Sequence, residues 1–284
     1  MPHLKIVFAI VFNLKNTTSG GYKCPVFGLF FLLSNFVNAQ KSYKSGEMSV
    51  KNGNVISYRY LEPRKVKKNK KYPLIVFLHG SGERGSDNKL QLVHGAKLFE
   101  KKSNRRKFPA YVVFPQCPKE DYWASMRSNK DNAEDPFTFD FSGPCTEALN
   151  NVFDLIKTYQ KNPNVDPDRI YIMGLSMGGM GTFEAISRHP EWFAAAIPIC
   201  GGGDLNFVPK FATKTKLWIF HGAKDDVVLP KYSRDMVQEV IFKGGYPKYT
   251  EFPDANHNSW DAAFETQGLL KWLFEQKRAT VPNN

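Results

Sequence analysis

The sequence predicts a doubly wound, mostly parallel α/β sheet with helices on both faces. Two observations carry that prediction. Short, fully apolar runs recur along the chain, and stretches with helical spacing separate them. An apolar run without polar alternation suits a parallel strand covered on both faces, whereas a half-exposed strand would alternate. Regular alternation of strand and helix builds crossover units, and such units build a parallel sheet.

Taken in order, Val55–Leu61 (VISYRYL) is the first expected strand, after an Asn52-Gly53-Asn54 turn. The apolar runs are 74–78 (LIVFL), 111–114 (YVVF), 170–173 (IYIM), 194–199 (AAAIPI) and 217–220 (LWIF), and 249–252 is a further strand. A helix is expected over 147–159, where Leu149, Val152, Phe153 and Ile156 fall on one face. The segments 177–188, 231–242 and 262–276 read likewise. The longest irregular stretch, 117–141, carries Asp121, Tyr122, Trp123, Arg127, Phe137, Phe139 and Phe141. It follows the strand ending at Phe114, so it belongs at the carboxyl edge of the sheet, where open α/β folds bind ligands. No interdomain linker is visible after residue 45, so 40–284 reads as one domain.

Composition narrows the function classes. The chain has 284 residues, of which 42% are hydrophobic, enough to bury a sizeable core. No apolar run reaches the roughly 18 to 20 residues of a membrane span, so stable membrane insertion is not expected. Cys24, Cys117, Cys145 and Cys200 are too few for a disulfide scaffold and lack zinc-type spacing. The net charge of +12 has concentrated sources at 64–71 and 101–107. Neither cluster is interleaved with aromatics, so nucleic acid is not an expected partner. Both read as solvated loops, with attraction to an acidic polymer as the other reading.

Residues 1–39 contain Lys5, Lys15 and Lys23 but no acidic residue, an apolar run at 25–33, and Val37-Asn38-Ala39 as a small-x-small site. That order is the order of a secretory signal peptide, so 1–39 is expected to be a leader of an exported protein. Lipidation at Cys24 is the weaker alternative. In an exported chain one disulfide is expected, with Cys117–Cys145 preferred because both fall near one loop.

The strongest chemical signal is Gly174-Leu175-Ser176-Met177-Gly178, between an expected strand and an expected helix. That context makes it a nucleophile elbow: a sharp turn that exposes Ser176 and aims a helix N-terminus at the reacting carbonyl. The backbone N–H of Met177 is one expected oxyanion donor. His79-Gly80-Ser81-Gly82 follows the 74–78 strand and supplies a second donor, assigned to Ser81 with Gly82 as the alternative. His79 is expected to brace that turn. A serine hydroxyl needs a base, and the base needs an orienting carboxylate. Asp225 follows the 217–220 strand and is the preferred acid, with Asp226 the near alternative. His257 is the one histidine after the acid and stands in a loop after 249–252, which makes it the base.

At these motifs the sequence resembles the α/β-hydrolase superfamily, and within it a branch of predicted peptidases, dienelactone-hydrolase-like proteins and feruloyl or acetyl-xylan esterases. The resemblance covers roughly 72–277 and rests on LHGSGERGSDN at 78–88, GLSMGGMGTFEAISRHPEWFAAAIPICGG at 174–202, WIFHGAKDDVV at 218–228 and NHNSWDAAF at 256–264. It implies an α/β-hydrolase fold and a serine hydrolase that needs no cofactor and no metal. In such families the acid is the fifth residue of HGxxD, which matches Asp225.

Three function classes stay open. One is a secreted carboxylesterase acting on feruloyl or acetyl decorations of a polysaccharide, with Trp123 and Trp260 as candidate stacking surfaces for a sugar or phenolic ring. The second is a serine peptidase of the prolyl-oligopeptidase type, although the chain lacks a propeller domain. The third is a non-catalytic binding protein on the same fold. The sequence sets no oligomeric state.

Overall fold

The computed structural model describes residues 42–278 except 51, 52, 54 and 130. The expected leader and Cys24 lie outside the described residues. Strands in chain order are β1 (Lys44–Ser49), β2 (Val55–Leu61), β3 (Tyr72–Leu78), β4 (Tyr111–Pro115), β5 (Met126–Ser128), β6 (Phe137–Phe139), β7 (Val165–Leu175), β8 (Ala195–Ile199), β9 (Lys216–Gly222) and β10 (Lys248–Phe252). Among the described residues they form an eight-stranded sheet in the order β1-β2-β4-β3-β7-β8-β9-β10, with β5 and β6 paired separately. β1 and β2 enter antiparallel, and every neighbouring pair from β4 to β10 is parallel.

The helices are α1 (Ala96–Glu100), α2 (Lys102–Lys107), α3 (Glu147–Gln160), α4 (Met177–Arg188), α5 (Val208–Phe211), α6 (Lys231–Phe242), α7 (Trp260–Glu265) and α8 (Leu269–Glu275). Strand alternation explains why both faces need cover. Leu74, Val76 and Leu78 of β3 join Ile170 and Ile172 of β7 in one cluster, with Val152 and Ile156 of α3, Phe183 of α4 and Met236 of α6. Ile75 and Phe77 join Tyr171 and Met173 in the opposite cluster, with Phe99 of α1 and Leu269 and Leu273 of α8. The sheet is therefore sandwiched between two helical layers, as the fully apolar runs predict.

The structure departs from the sequence reading at the first strand, in the last helix and at the expected disulfide. β1, KSGEMS, was not expected. It is a mostly exposed edge strand with no apolar run to mark it. The expected helix over 262–276 is two helices, because Gly268 adopts φ 84° at the junction. Ala263 of α7 and Leu269, Leu270 and Leu273 of α8 pack in one cluster, which hides the break from periodicity. The expected Cys117–Cys145 disulfide is absent, and both are free thiols, as is Cys200. Cys117 is buried at the end of β4, whereas the Cys145 thiol faces Asn150 Oδ1 at 3.1 Å near the start of α3.

Candidate active site

β7 ends at Leu175, α4 begins at Met177, and Ser176 between them sits at φ 53°, ψ −120°. A non-glycine residue in this region is strained, by about 1–3 kcal/mol, and persists only where its surroundings enforce it. The enforcement is visible. Ser176 N–H donates to Ile199 O at 2.9 Å. A Cβ on Gly174 would lie 2.2 Å from Gly178 O, and one on Gly178 would lie 2.0 Å from Leu78 O. The elbow closes this tightly because both flanking positions lack a side chain.

The structure brings Ser176, His257 and Asp225 together at the carboxyl edge of the sheet. His257 Nε2 is 3.0 Å from Ser176 Oγ. Its Nδ1 is 2.8 Å from Asp225 Oδ2 and 3.0 Å from Asp225 Oδ1. A carboxylate only accepts, so Nδ1 carries the hydrogen and Nε2 is free to accept from the serine hydroxyl. Asp225 Oδ1 also accepts from the N–H groups of Val227 (3.0 Å) and Val228 (2.9 Å). Burial opposes ionisation of Asp225, but hydrogen bonds from His221, His257 and Val228 hold its carboxyl well below the usual range. Asp226 is exposed, and its N–H faces Asn256 Oδ1 at 3.4 Å. The geometry thus sets Asp225, not Asp226, against the imidazole.

Met177 opens α4, so its N–H has no intrahelical acceptor. Ser81 opens a short 3-10 turn, Ser81–Glu83, directly after β3. A Cβ on Gly80 would meet Leu175 Cδ1 at 2.9 Å, so this turn lies against the residue preceding Ser176. His79 braces it from behind: its Nδ1–H donates to Gly80 O at 2.7 Å, and its Nε2 accepts from Cys117 N–H at 3.0 Å. Burial lowers the His79 pKa to about 4, so the ring is neutral.

Trp123 is a correction. It is fully buried, and its Nε1–H donates to the His79 carbonyl at 3.1 Å. Its Cβ lies 2.4 Å from where a Cβ on Gly181 would stand, so it fills the gap beside α4 and offers no stacking surface. Trp260 is half-buried and stands edge-on to His257, with ring centroids 5.3 Å apart. Its other neighbour is His94, at 5.1 Å.

Two features were missed by sequence reasoning. Glu184 of α4 is fully buried and accepts from Ser125 N–H (2.5 Å), Ser125 Oγ (2.9 Å) and Arg188 (2.6 Å). It ties the 117–141 segment to the helix that follows Ser176. The signal was a carboxylate set directly beside Phe183 in a glycine-rich, apolar helix. The other is His221, buried beside Asp225 and four residues before it in HGAKDD. One grouping of metal-ligating residues occurs among the described residues: Cys200, Asp225 and His257. It is the hydrogen-bonded Asp225–His257 pair plus a thiol whose ionisation burial opposes, so it makes no separate site.

Residues 65–267 match the model of the phospholipase/carboxylesterase family. The chain belongs to this family. Among solved structures of the same α/β-hydrolase fold, a thermostable esterase is 37% identical, with a TM-score of 0.74 over 85% of this chain and 64% of that one. Poly(3-hydroxyalkanoate) depolymerase C of Paucimonas lemoignei is 26% identical over 65% of this chain and 47% of its own. The bifunctional acetylxylan esterase/xylanase XynS20E of Neocallimastix patriciarum is 34% identical over 52% of this chain and 23% of that protein. The match spans less than half the length of each of these two curated relatives. No helix among the described residues is long and apolar enough to cross a membrane.

Proposed function

We propose that the chain is a serine carboxylesterase that removes feruloyl or acetyl groups from a polysaccharide. The observation that carries this reading is the continuous hydrogen-bonded line from Ser176 Oγ through His257 to Asp225, built on a strained elbow. Ser176 Oγ attacks the ester carbonyl carbon while its proton passes to His257 Nε2. Asp225 holds the Nδ1–H tautomer and stabilises the imidazolium. The N–H groups of Met177 and Ser81 donate to the oxyanion, and loss of one such donor typically costs about 3 kcal/mol in the barrier. The intermediate collapses, His257 gives its proton to the departing alkoxide, and the acyl group stays on Ser176. Water then attacks the acyl carbon, His257 takes and returns a proton in the same way, and the free acid leaves. In this reading 40–284 is the catalytic domain of an exported protein, and Trp260 lines the acyl or leaving-group side of the site.

The similarity to an acetylxylan esterase supports the acetyl alternative, and that to a polyhydroxyalkanoate depolymerase adds an aliphatic ester to the panel. The test is kcat/KM for methyl ferulate, an aryl acetate and methyl 3-hydroxybutyrate, with Ser176→Ala as the blank. Ferulate preferred over acetate assigns a phenolic acyl group, and the reverse assigns deacetylation. Turnover that survives in Ser176→Ala would refute the mechanism. Preference for the hydroxybutyrate would refute the polysaccharide.

A further inference from the structure

A second histidine lies behind the acid and takes no step in the mechanism above. His221, near the end of β9, is fully buried. Its Nε2 is 2.7 Å from Val228 O and 3.3 Å from Asp225 Oδ2. Its Nδ1 is 2.7 Å from Ser233 Oγ, and that hydroxyl is 2.9 Å from Gly201 O. Counting protons constrains the ring. Carbonyl and carboxylate oxygens only accept, so Nε2 carries a hydrogen. If Ser233 donates to Nδ1, the ring is neutral. If Ser233 donates to Gly201 O, Nδ1 must carry a hydrogen too, and the ring is an imidazolium. In either state the Nε2–H donates to Val228 O at 2.7 Å, with Asp225 Oδ2 beside it at 3.3 Å.

Asp225 is therefore held between two imidazoles. Oδ2 faces His257 Nδ1 from the loop after β10 and His221 Nε2 from β9. We propose that His221 is a positioning residue: its Nε2–H donates to Val228 O, which fixes the turn that holds Asp225, and the same N–H edge, 3.3 Å from Oδ2, draws carboxylate charge away from His257 and so sets the basicity of the base. This role rests on Asp225 being the acid of the triad. The other titratable groups around the pair are few. The Cys200 thiol lies within 4.8 Å of an Asp225 carboxylate oxygen and of a His257 ring nitrogen. Glu251 of β10 is the register partner of His221 and is engaged by Arg234 and Tyr249. On the solvent side Lys224 pairs with Asp254. Ser176 and the Trp260 ring complete the surroundings of His257.

The direction of the effect follows from charge. Without the His221 donor, Asp225 becomes a stronger acceptor for His257, which favours the imidazolium. The acid limb of kcat/KM against pH then moves upward, by about 0.5 unit or more. The comparison uses the full chain with His221→Met, which fills the space without an N–H, and His221→Gln, whose amide N–H reaches toward the Nε2 position. The expected result is that His221→Met lowers kcat roughly tenfold or more with KM near wild type and shifts the acid limb upward. His221→Gln should restore most of both. A folded His221→Met with the wild-type kcat and acid limb would overturn the role, because a residue that only packs would change stability alone. If His221→Met does not fold, imidazole nitrogen resonances of the wild type decide. A protonated Nε2 that shifts in Asp225→Asn supports the role, and a bare or unmoved Nε2 overturns it. Full activity of Asp225→Asn itself would overturn the triad assignment first, and this role with it.

Discussion

Replacing Gly178 with alanine puts a methyl group where the nucleophile helix meets β3. The added Cβ would stand 2.0 Å from Leu78 O and 2.8 Å from His79 O. Both are backbone atoms and cannot swing aside. Reaching even 3.0 Å from Leu78 O requires the α4 N-terminus and the end of β3 to part by about 1 Å. That separation divides the two groups assigned to the oxyanion, because Met177 moves with α4 and Ser81 moves with β3. Forced overpacking of this kind costs about 1–3 kcal/mol of stability. Misplacement of about 1 Å in a reacting constellation costs about 100-fold in rate, or about 2.7 kcal/mol in the barrier. Gly82 is the internal control, since a Cβ there has nothing within 4 Å and the backbone N–H is retained. The assay is kcat/KM on an aryl acetate together with the urea midpoint of each variant. Gly178→Ala should lose both activity and stability, and Gly82→Ala should stay within roughly twofold of wild type. Wild-type activity in Gly178→Ala, or equal damage in Gly82→Ala, would refute the argument from close approach.

Asp225→Asn should lower kcat by about 10³–10⁴, as expected when the tautomer of the base is lost, while Asp226→Asn should leave it near wild type; the reverse ranking moves the acid by one residue. Ser176→Gly should be inactive yet more stable to urea than Ser176→Ala by about 1 kcal/mol, because glycine relieves the strain at φ 53°. Equal midpoints would deny that strain. His79 adds an acid-sensitive element. Its folded pKa of about 4 lies below the usual 6.5, so the unfolded chain binds the extra proton between those values. Its stabilisation is complete above pH 6.5 and falls by about 3 kcal/mol as pH drops through 4. Urea unfolding across pH 7 to 4 should therefore decline less steeply in His79→Asn than in wild type, and parallel declines would contradict it.

The parts of this protein legible in its sequence are those where local pattern and buried position agree. The runs at 74–78, 111–114 and 217–220 could be read because both faces of those strands are covered. The elbow could be read because glycines stand where a Cβ cannot. What stayed hidden depends on long-range contacts. Trp123 looked ligand-facing because it sits in a long polar loop, but the space beside Gly181, distant in sequence, takes up its side chain. The β5–β6 hairpin has strands of three residues each, too short to show alternation. His221 carries no local mark of a role: Asp225 is its neighbour in the same motif, but Ser233, which meets its other ring nitrogen, comes from α6.

β10 has one neighbour in the sheet, β9, and its outer side is unpaired by any other strand among the described residues. His257 stands in the loop that follows it. Fraying at a sheet margin requires far less free energy than melting the interior. A rise in temperature that loosens β10 would withdraw His257 from Ser176 while β3, β7 and the two buried clusters stay intact. Heat inactivation is thus expected to begin at the margin rather than the centre, and residual activity after warming should report on the grip of β9 and of the Arg234–Glu251 pair upon β10.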